Sequence, residues 1–89
     1  MNLGRIIGTV VSTKKDDRLI GNKLMIVQKL DEYLKPQGDS LIAIDTVGAG
    51  TGETIIYVSG STARFAVGNS GAPVDATIVG IVDSVEVEN

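Results

Sequence analysis

The sequence contains neither cysteine nor histidine, and these two absences exclude several classes of function. Without cysteine there is no disulfide framework, no thiolate nucleophile and no zinc–thiolate site. Without histidine the chain lacks the most common general base and the most common metal ligand. The 11 acidic residues include no pair with a recognisable catalytic spacing. We therefore predict no enzyme activity, no catalytic residue, no cofactor and no metal site.

Aromatic residues and basic charge are also scarce. The only aromatic side chains are those of Tyr33, Tyr57 and Phe65, and 8 basic residues against 11 acidic ones leave a net charge of -3. Binding of single-stranded nucleic acid needs a basic groove and stacking aromatics, so we predict no nucleic-acid partner. No apolar run approaches the ~20 residues that span a bilayer, and the N-terminus lacks the order of a signal peptide. These features predict a cytoplasmic protein without a membrane partner.

Apolar residues, by contrast, are abundant for so short a chain. The 89 residues correspond to one domain, and 43% of them are hydrophobic. A chain of this length buries only ~60% of the surface that its unfolded form exposes. Large exposed apolar patches are rare on monomers, so some of these hydrophobic residues are expected in a subunit interface. The alternative is a core that is merely rich in valine and isoleucine.

Five β-branched runs separated by loops predict an all-β fold, namely a small five-stranded OB-like barrel. A short helical turn is expected over residues 60–66, with Ser61 as its cap. Gly4 and Gly8 interrupt the first run, which indicates strong bending or close approach of the backbone. Turns are expected over residues 31–39 and 69–73. The predicted strands cover residues 3–13, 23–30, 40–47, 54–60 and 75–88.

The most distinctive stretch is DTVGAGTGE, Asp45 to Glu53, in which Gly48, Gly50 and Gly52 alternate between two strands. It is not a phosphate-binding loop, because Glu53 stands where such a loop needs lysine. It is not a dinucleotide fingerprint either, because the glycine spacing differs and a strand follows. Two explanations remain open. Glycine supplies positive φ in a strained turn, or a neighbouring subunit comes too close for side chains.

Five blocks occur in a fixed order along the chain: GTVVSTKK, GNKLMIVQ, AIDTVGAGTGE, GSTAR and DATIVGIVD. Together they resemble the EutN/CcmL family of bacterial microcompartment vertex proteins. The resemblance covers residues 1–85, which we treat as the domain, and leaves residues 86–89 as a C-terminal tail.

The resemblance implies a small barrel that assembles as a homopentamer. These pentamers would cap the corners of a polyhedral shell whose flat faces consist of hexameric shell proteins. The resemblance implies neither catalysis nor a cofactor. It also implies that the protein lies in the shell of a microcompartment in the cytoplasm. The alternative function is that of a small OB-like barrel that binds a ligand or nucleic acid.

The family pattern also selects candidate interface residues. Ser61 and Arg64 are candidates in the GSTAR block, and Arg64 could form an ion pair with Glu53 of a neighbouring subunit. The alternative is an ordinary surface pair worth ~0–1 kcal/mol. The candidate subunit-interface or axial loop comprises Gly48, Ala49, Gly50, Thr51, Gly52 and Glu53.

Overall fold

A computed structural model of the chain describes residues 1–12, 16–19, 21–68 and 74–88. Within these ranges the strands form a closed barrel in the order β1-β2-β3-β5-β4, with one α-helix, α1, between β4 and β5. This confirms the predicted five-stranded OB-like barrel with a short helical segment. A 3₁₀ helix spans Asp17–Leu19. The other elements are β1 (Asn2–Val10), β2 (Lys23–Leu30), β3 (Pro36–Asp45), β4 (Thr54–Ser59), α1 (Ser61–Val67) and β5 (Ala76–Ile81).

Strand pairing is antiparallel everywhere except between β3 and β5. β1 pairs with β2 on one side and with β4 on the other, which closes the barrel. The parallel contact between β3 and β5 is short, because only Ile44 with Thr77 and Asp45 with Ile78 are in register. This contact is therefore the weakest seam of the barrel.

The barrel interior is filled by alternate residues of the strands, as period-two patterning requires. Gly4 faces this interior, where a Cβ atom would overlap Val27 Cγ1 and lie 3.1 Å from Tyr57 Cε1. A bulge between Ile6 and Gly8 bends β1. Both glycines thus have the effects predicted for them. The buried interior residues are Ile6, Met25, Val27, Ala43, Ala49, Ile55, Tyr57, Ala76 and Ile78.

A second, smaller core lies between the barrel and α1. Ala63 of α1 is fully buried against a cluster that includes Ile44, Val58 and Val74. The hydroxyl of Thr77, also fully buried, donates a hydrogen bond of 2.8 Å to the carbonyl oxygen of Ala63. This bond satisfies the buried hydroxyl and fixes the helix to β5.

Several predicted boundaries are wrong. β3 begins at Pro36 instead of residue 40, because Asp31 Oδ1 accepts bonds from the backbone N–H groups of Tyr33 and Lys35 and confines the turn to residues 31–35. The first strand ends at Val10, and the last at Ile81. The predicted turn over residues 69–73 lies outside the described residues.

The helix does not use the predicted serine cap. Its N-cap is Gly60, with φ 71°, and no side chain caps the first turn. The backbone N–H of Gly60 instead donates to the carbonyl oxygen of Asp75 at 2.8 Å, so the chain leaves β4 through a conformation that glycine adopts without strain.

Candidate subunit-interface loops

The loop from Asp45 to Glu53, here called the glycine loop, begins with a side-chain cap. Asp45 Oδ1 accepts hydrogen bonds from the backbone N–H groups of Val47, at 2.9 Å, and Gly48, at 3.2 Å. Aspartate favours such turns because its carboxylate reaches its own backbone two residues further on. The end of β3 therefore turns sharply into the loop.

Positive φ accounts for two of the three alternating glycines. Gly48 has φ 79° and Gly52 has φ 91°, values that residues other than glycine rarely adopt. Gly50 does not lie in this region, so the explanation by positive φ is wrong for Gly50. Ala49, between Gly48 and Gly50, is buried in the barrel core. The loop thus covers this end of the barrel by inserting one small side chain.

Glu53 holds the far side of the glycine loop. Its Oε1 accepts a hydrogen bond of 2.7 Å from the N–H of Gly50, and its own N–H donates to the carbonyl oxygen of Gly50 at 3.1 Å. The reciprocal pair closes a tight turn in the manner of a capping box. The glutamate therefore has a role inside the subunit through its Oε1 atom.

The glycine loop is also joined to β1 by backbone hydrogen bonds. Gly52 N–H donates to the Ile6 carbonyl oxygen at 2.8 Å, and Ile6 N–H donates to the Glu53 carbonyl oxygen at 3.0 Å. These bonds continue the β1–β4 ladder into the loop. Gly48, Thr51 and Gly52 are exposed, and apart from the glycine and its two chain neighbours no heavy atom lies within 4 Å of a Cβ built on either glycine.

The second candidate surface is the outer side of α1. Ser61 and Arg64 are exposed, and so is Phe65, with 71% of its surface accessible. Sequence reasoning selected the serine and the arginine but missed the phenylalanine. The sequence shows an aromatic residue at position 65, but only the burial of Ala63 in the structure shows which side of the helix faces outward.

The two candidate surfaces lie at opposite ends of the barrel. The glycine loop precedes β4 and α1 follows it, and six residues of strand span about 17 to 20 Å at ~3.3 Å per residue. Glu53 and Arg64 of one chain are therefore not partners, and Arg64 forms no ion pair within the described ranges. An ion pair between these two residues requires two subunits.

A surface cleft of about 610 Å³ opens at the same end as α1, beside β3. Its walls include Asn2, Lys29, Leu41, Tyr57 and Asp75, together with Ile42, which is 53% exposed. We call it the β3 cleft. Burial raises the pKa of Tyr57 above its ordinary value, since the residue is only 3% exposed. No sequence motif marks the β3 cleft, because it arises from the short β3–β5 pairing.

The hairpin between β2 and β3 holds two further residues that sequence reasoning missed. Tyr33 is 58% exposed, and Leu34 has φ 63°, the only positive φ among the described residues other than glycines. A leucine in this conformation is strained by roughly 1–2 kcal/mol. The signal in the sequence was weak, because Pro36 and Gly38 suggested a longer turn.

The described residues include no group of three or more acidic side chains that could hold a metal ion. Across those same ranges, no helix is both long and apolar enough to cross a membrane.

Comparison with known proteins gives consistent matches. The family model described as "Ethanolamine utilisation protein EutN/carboxysome" matches residues 1–83. The chain is 51% identical over 89 residues to the bacterial microcompartment shell vertex protein GrpN of Rhodospirillum rubrum, covering 100% of both chains. It is 42% identical over 89 residues to the carboxysome shell vertex protein CcmL of Gloeobacter violaceus, covering 100% of this chain and 89% of the relative.

The fold is matched as closely as the sequence. The solved structure of the GrpN pentameric microcompartment shell protein from Rhodospirillum rubrum superposes with a TM-score of 0.90 at 50% identity, covering 99% of this chain and 100% of that one. The barrel, the helix and the connecting loops therefore lie within a fold already seen in a pentameric shell protein.

Proposed function

This chain belongs to the EutN/CcmL family, and from that membership we propose that it is a structural shell protein whose pentamers cap the vertices of a polyhedral bacterial microcompartment. The observation that carries the proposal is the full-length match, in sequence and in fold, to a pentameric shell vertex protein. Its place is accordingly the shell of a microcompartment in the cytoplasm.

A geometric argument explains what a five-fold unit contributes. A layer tiled only by six-fold units is flat or rolls into a tube, and it does not close. Insertion of five-fold units creates corners, and a small number of corners closes the layer. We propose that the partners at these corners are hexameric shell proteins, and that this protein is needed in small amounts relative to them.

We further propose that the ring is built by a head-to-tail contact, which brings the glycine-loop end of one subunit against the α1 end of the next. Heterologous contacts of this kind generate closed rings when the rotation permits. The exposed residues Gly48, Thr51 and Gly52 of the glycine loop would then face Ser61 and Arg64 of the neighbour. The Glu53 carboxylate would form the ion pair with that arginine.

The absence of catalysis is part of the proposal. The curated relatives are shell vertex proteins. The chain has no histidine or cysteine with which to contribute acid–base or nucleophilic chemistry. The shell role requires none, because sealing a corner depends on shape and contacts alone.

The alternative, a nucleic-acid-binding barrel, has little support. The ring of Tyr57 is buried in the core, while Tyr33 and Phe65 lie on separate elements. These positions offer no continuous stacking platform, and the net charge of -3 does not attract a polyanion. Salt-sensitive, micromolar binding to single-stranded DNA would favour this alternative.

The vertex function is tested by producing shells from the hexameric proteins with and without this protein. Electron microscopy should show closed polyhedra in its presence and open or elongated shells in its absence. A volatile intermediate made inside should leak only from the latter, while the enclosed enzymes keep their activity in lysates. Closed, non-leaking shells without this protein or a paralogue would refute the proposal.

A further inference from the structure

The end of the chain has the pattern of a strand but does not form one. Val85 and Val87 alternate with Glu86 and Glu88, the period-two pattern of a half-buried strand. Yet β5 ends at Ile81, and in the structure residues 83–88 belong to no strand. We call residues 83–88 the C-terminal tail segment, or simply the tail. It begins three residues before the tail that the sequence predicts at residues 86–89. Its pattern predicts a strand whose pairing partner lies outside the subunit.

An unpaired strand edge exists elsewhere on the subunit. β3 spans Pro36–Asp45, but its parallel pairing with β5 involves only Ile44 and Asp45. Within the described ranges, residues 40–43 pair in register with β2 on one side and have no strand on the other, while residues 37–39 form a bulge without register partners on β2. Exposed edges recruit additional strands unless they are covered. The β3 cleft lies directly beside this edge.

We propose that the C-terminal tail segment of one subunit adds as a strand to the β3 edge of the next subunit and fills its β3 cleft. The occupant is thus a second copy of this chain. The inference rests on the proposed ring, and it assigns to that ring a specific exchange of strands. Main-chain hydrogen bonds would supply affinity, and alternate side chains would supply specificity.

The position of the tail favours a neighbour over the same chain. The last backbone bond before the tail runs from Val82 N–H to the Thr54 carbonyl oxygen, at the glycine-loop end of the barrel. The β3 cleft is lined by Ser59 and Ala76, which lie at the opposite end of β4 and β5. To fill its own cleft the tail would have to reverse direction along the barrel. A head-to-tail neighbour receives it without reversal, at the same contact proposed for the glycine loop.

Size and apolar character agree with this docking. The regular open edge at residues 40–43 is about 13 Å long, which four extended residues of the tail cover. Val87 is exposed in the isolated subunit, and so is Ile42 in the cleft wall. In an added strand Val85 and Val87 share one face, and placing that face beside Ile42 removes apolar surface of both subunits from water.

Charges of both signs lie at this contact. The tail carries the carboxylates of Asp83, Glu86 and Glu88, while Lys29 lines the cleft and Lys35 is exposed at the start of the β3 edge. The carboxylates of the described residues on the receiving side are those of Asp75 in the cleft wall and Asp39, which is exposed on β3. Two lysines and two aspartates balance, so main-chain and apolar contacts carry the docking, and exposed ion pairs add little.

The first experiment measures the mass and dissociation of the purified full chain and three variants by native mass spectrometry. One variant ends at Val82, and a second carries Val85→Asp with Val87→Asp. The matched control carries Glu86→Gln with Glu88→Gln on the other face of the same tail. The first two variants should dissociate at subunit concentrations roughly tenfold or more above that of the full chain, since each loses apolar contact at the interface. The control should dissociate within about threefold of it, because exposed ion pairs contribute little.

The second experiment uses the absence of cysteine from the natural sequence. Differently tagged Val87→Cys and Ser40→Cys chains are produced together and oxidised. A disulfide joining the two tags should form, and it should be absent when either variant is replaced by the unmodified chain. In a single chain that carries both substitutions, the disulfide should join different copies into a ladder.

The outcomes separate this inference from the proposed function. A pentamer whose dissociation is unchanged by truncation at Val82 overturns the strand exchange and leaves the vertex function standing. An exclusively intramolecular disulfide in the doubly substituted chain likewise overturns it, because the tail would then occupy its own cleft. A full chain that is monomeric throughout overturns both.

Discussion

Replacing Gly4 with alanine tests how tightly β1 is packed inside the barrel. An ideal Cβ at this position would overlap Val27 Cγ1 and would also lie 3.1 Å from Tyr57 Cε1 and 3.3 Å from the carbonyl oxygen of Gln28. One of these neighbours is backbone and two belong to the buried core, so none can move freely. Overpacking of this kind costs about 1–3 kcal/mol. The midpoint of thermal unfolding should fall by roughly 5–20 °C in a domain of this size.

The matched control is Gly8→Ala on the same strand. There the added Cβ would meet Ile26 Cδ1 at 3.5 Å, an ordinary van der Waals contact. Neither glycine has positive φ, so backbone strain does not distinguish the two positions. Gly8→Ala should therefore leave the midpoint within about 3 °C of the parent or raise it, because alanine loses less chain entropy than glycine on folding.

A double-mutant cycle identifies the overlapping atom. Val27→Ala removes Cγ1, so Gly4→Ala should cost less in that background than in the parent, with a coupling of about 0.5–2 kcal/mol. Thermal unfolding is followed by circular dichroism at one fixed subunit concentration, because assembly makes the midpoint depend on concentration. Equal midpoints for Gly4→Ala and Gly8→Ala, or strict additivity with Val27→Ala, would refute the packing argument.

Three further predictions follow from the loops and the core. Leu34→Gly should raise the stability of the subunit by about 1 kcal/mol, measured by denaturant unfolding, because it relieves the positive φ; a loss of stability would mean that the leucine side chain contributes more than its strain costs. Burial raises the pKa of Tyr57 in the folded subunit above its ordinary value of 10.0, so the tyrosine of the unfolded chain ionises first as pH rises. The stability of the subunit should therefore be retained below about pH 10 and fall as pH rises through the folded pKa. Tyr57→Phe should lose less stability between pH 9 and pH 11 than the parent does, and equal losses would contradict this. Gly50→Val should weaken assembly more than it weakens the subunit, since the nearest atom to an added Cβ is Glu53 Oε1 at an ordinary 3.6 Å; unchanged mass and dissociation would remove this glycine from the interface.

The sequence was sufficient to predict the barrel because its strands carry their burial pattern locally. β2 begins and ends where its β-branched run does, at Lys23 and Leu30. The inward role of Gly4 was also predictable, since a glycine inside a strand indicates close backbone approach. These features depend on residues that are near one another in the chain.

The boundaries that were missed depend on partners that are distant in the chain. Val85 and Val87 have the pattern of a strand, but no pairing among the residues that the structure describes extends β5 to them. The role of Glu53 as an acceptor for Gly50 N–H is a detail of loop geometry that charge alone does not indicate. The β3 cleft arises from where β3 and β5 separate, and no local motif encodes such a separation.

The two-pair seam between β3 and β5 also determines which part of the barrel opens first. All other strand contacts involve at least four register pairs, so the seam contributes the fewest hydrogen bonds to barrel closure. Native-state opening proceeds through the regions of least local stability, and its free energy can lie far below that of global unfolding. Amide protons along Ile44 and Thr77 should therefore exchange with solvent sooner than those of the β1–β2 ladder. Local opening of this seam can change the conformation of the neighbouring β3 edge without unfolding the barrel. Such a change would let neighbouring subunits at a corner adjust to the curvature of the shell.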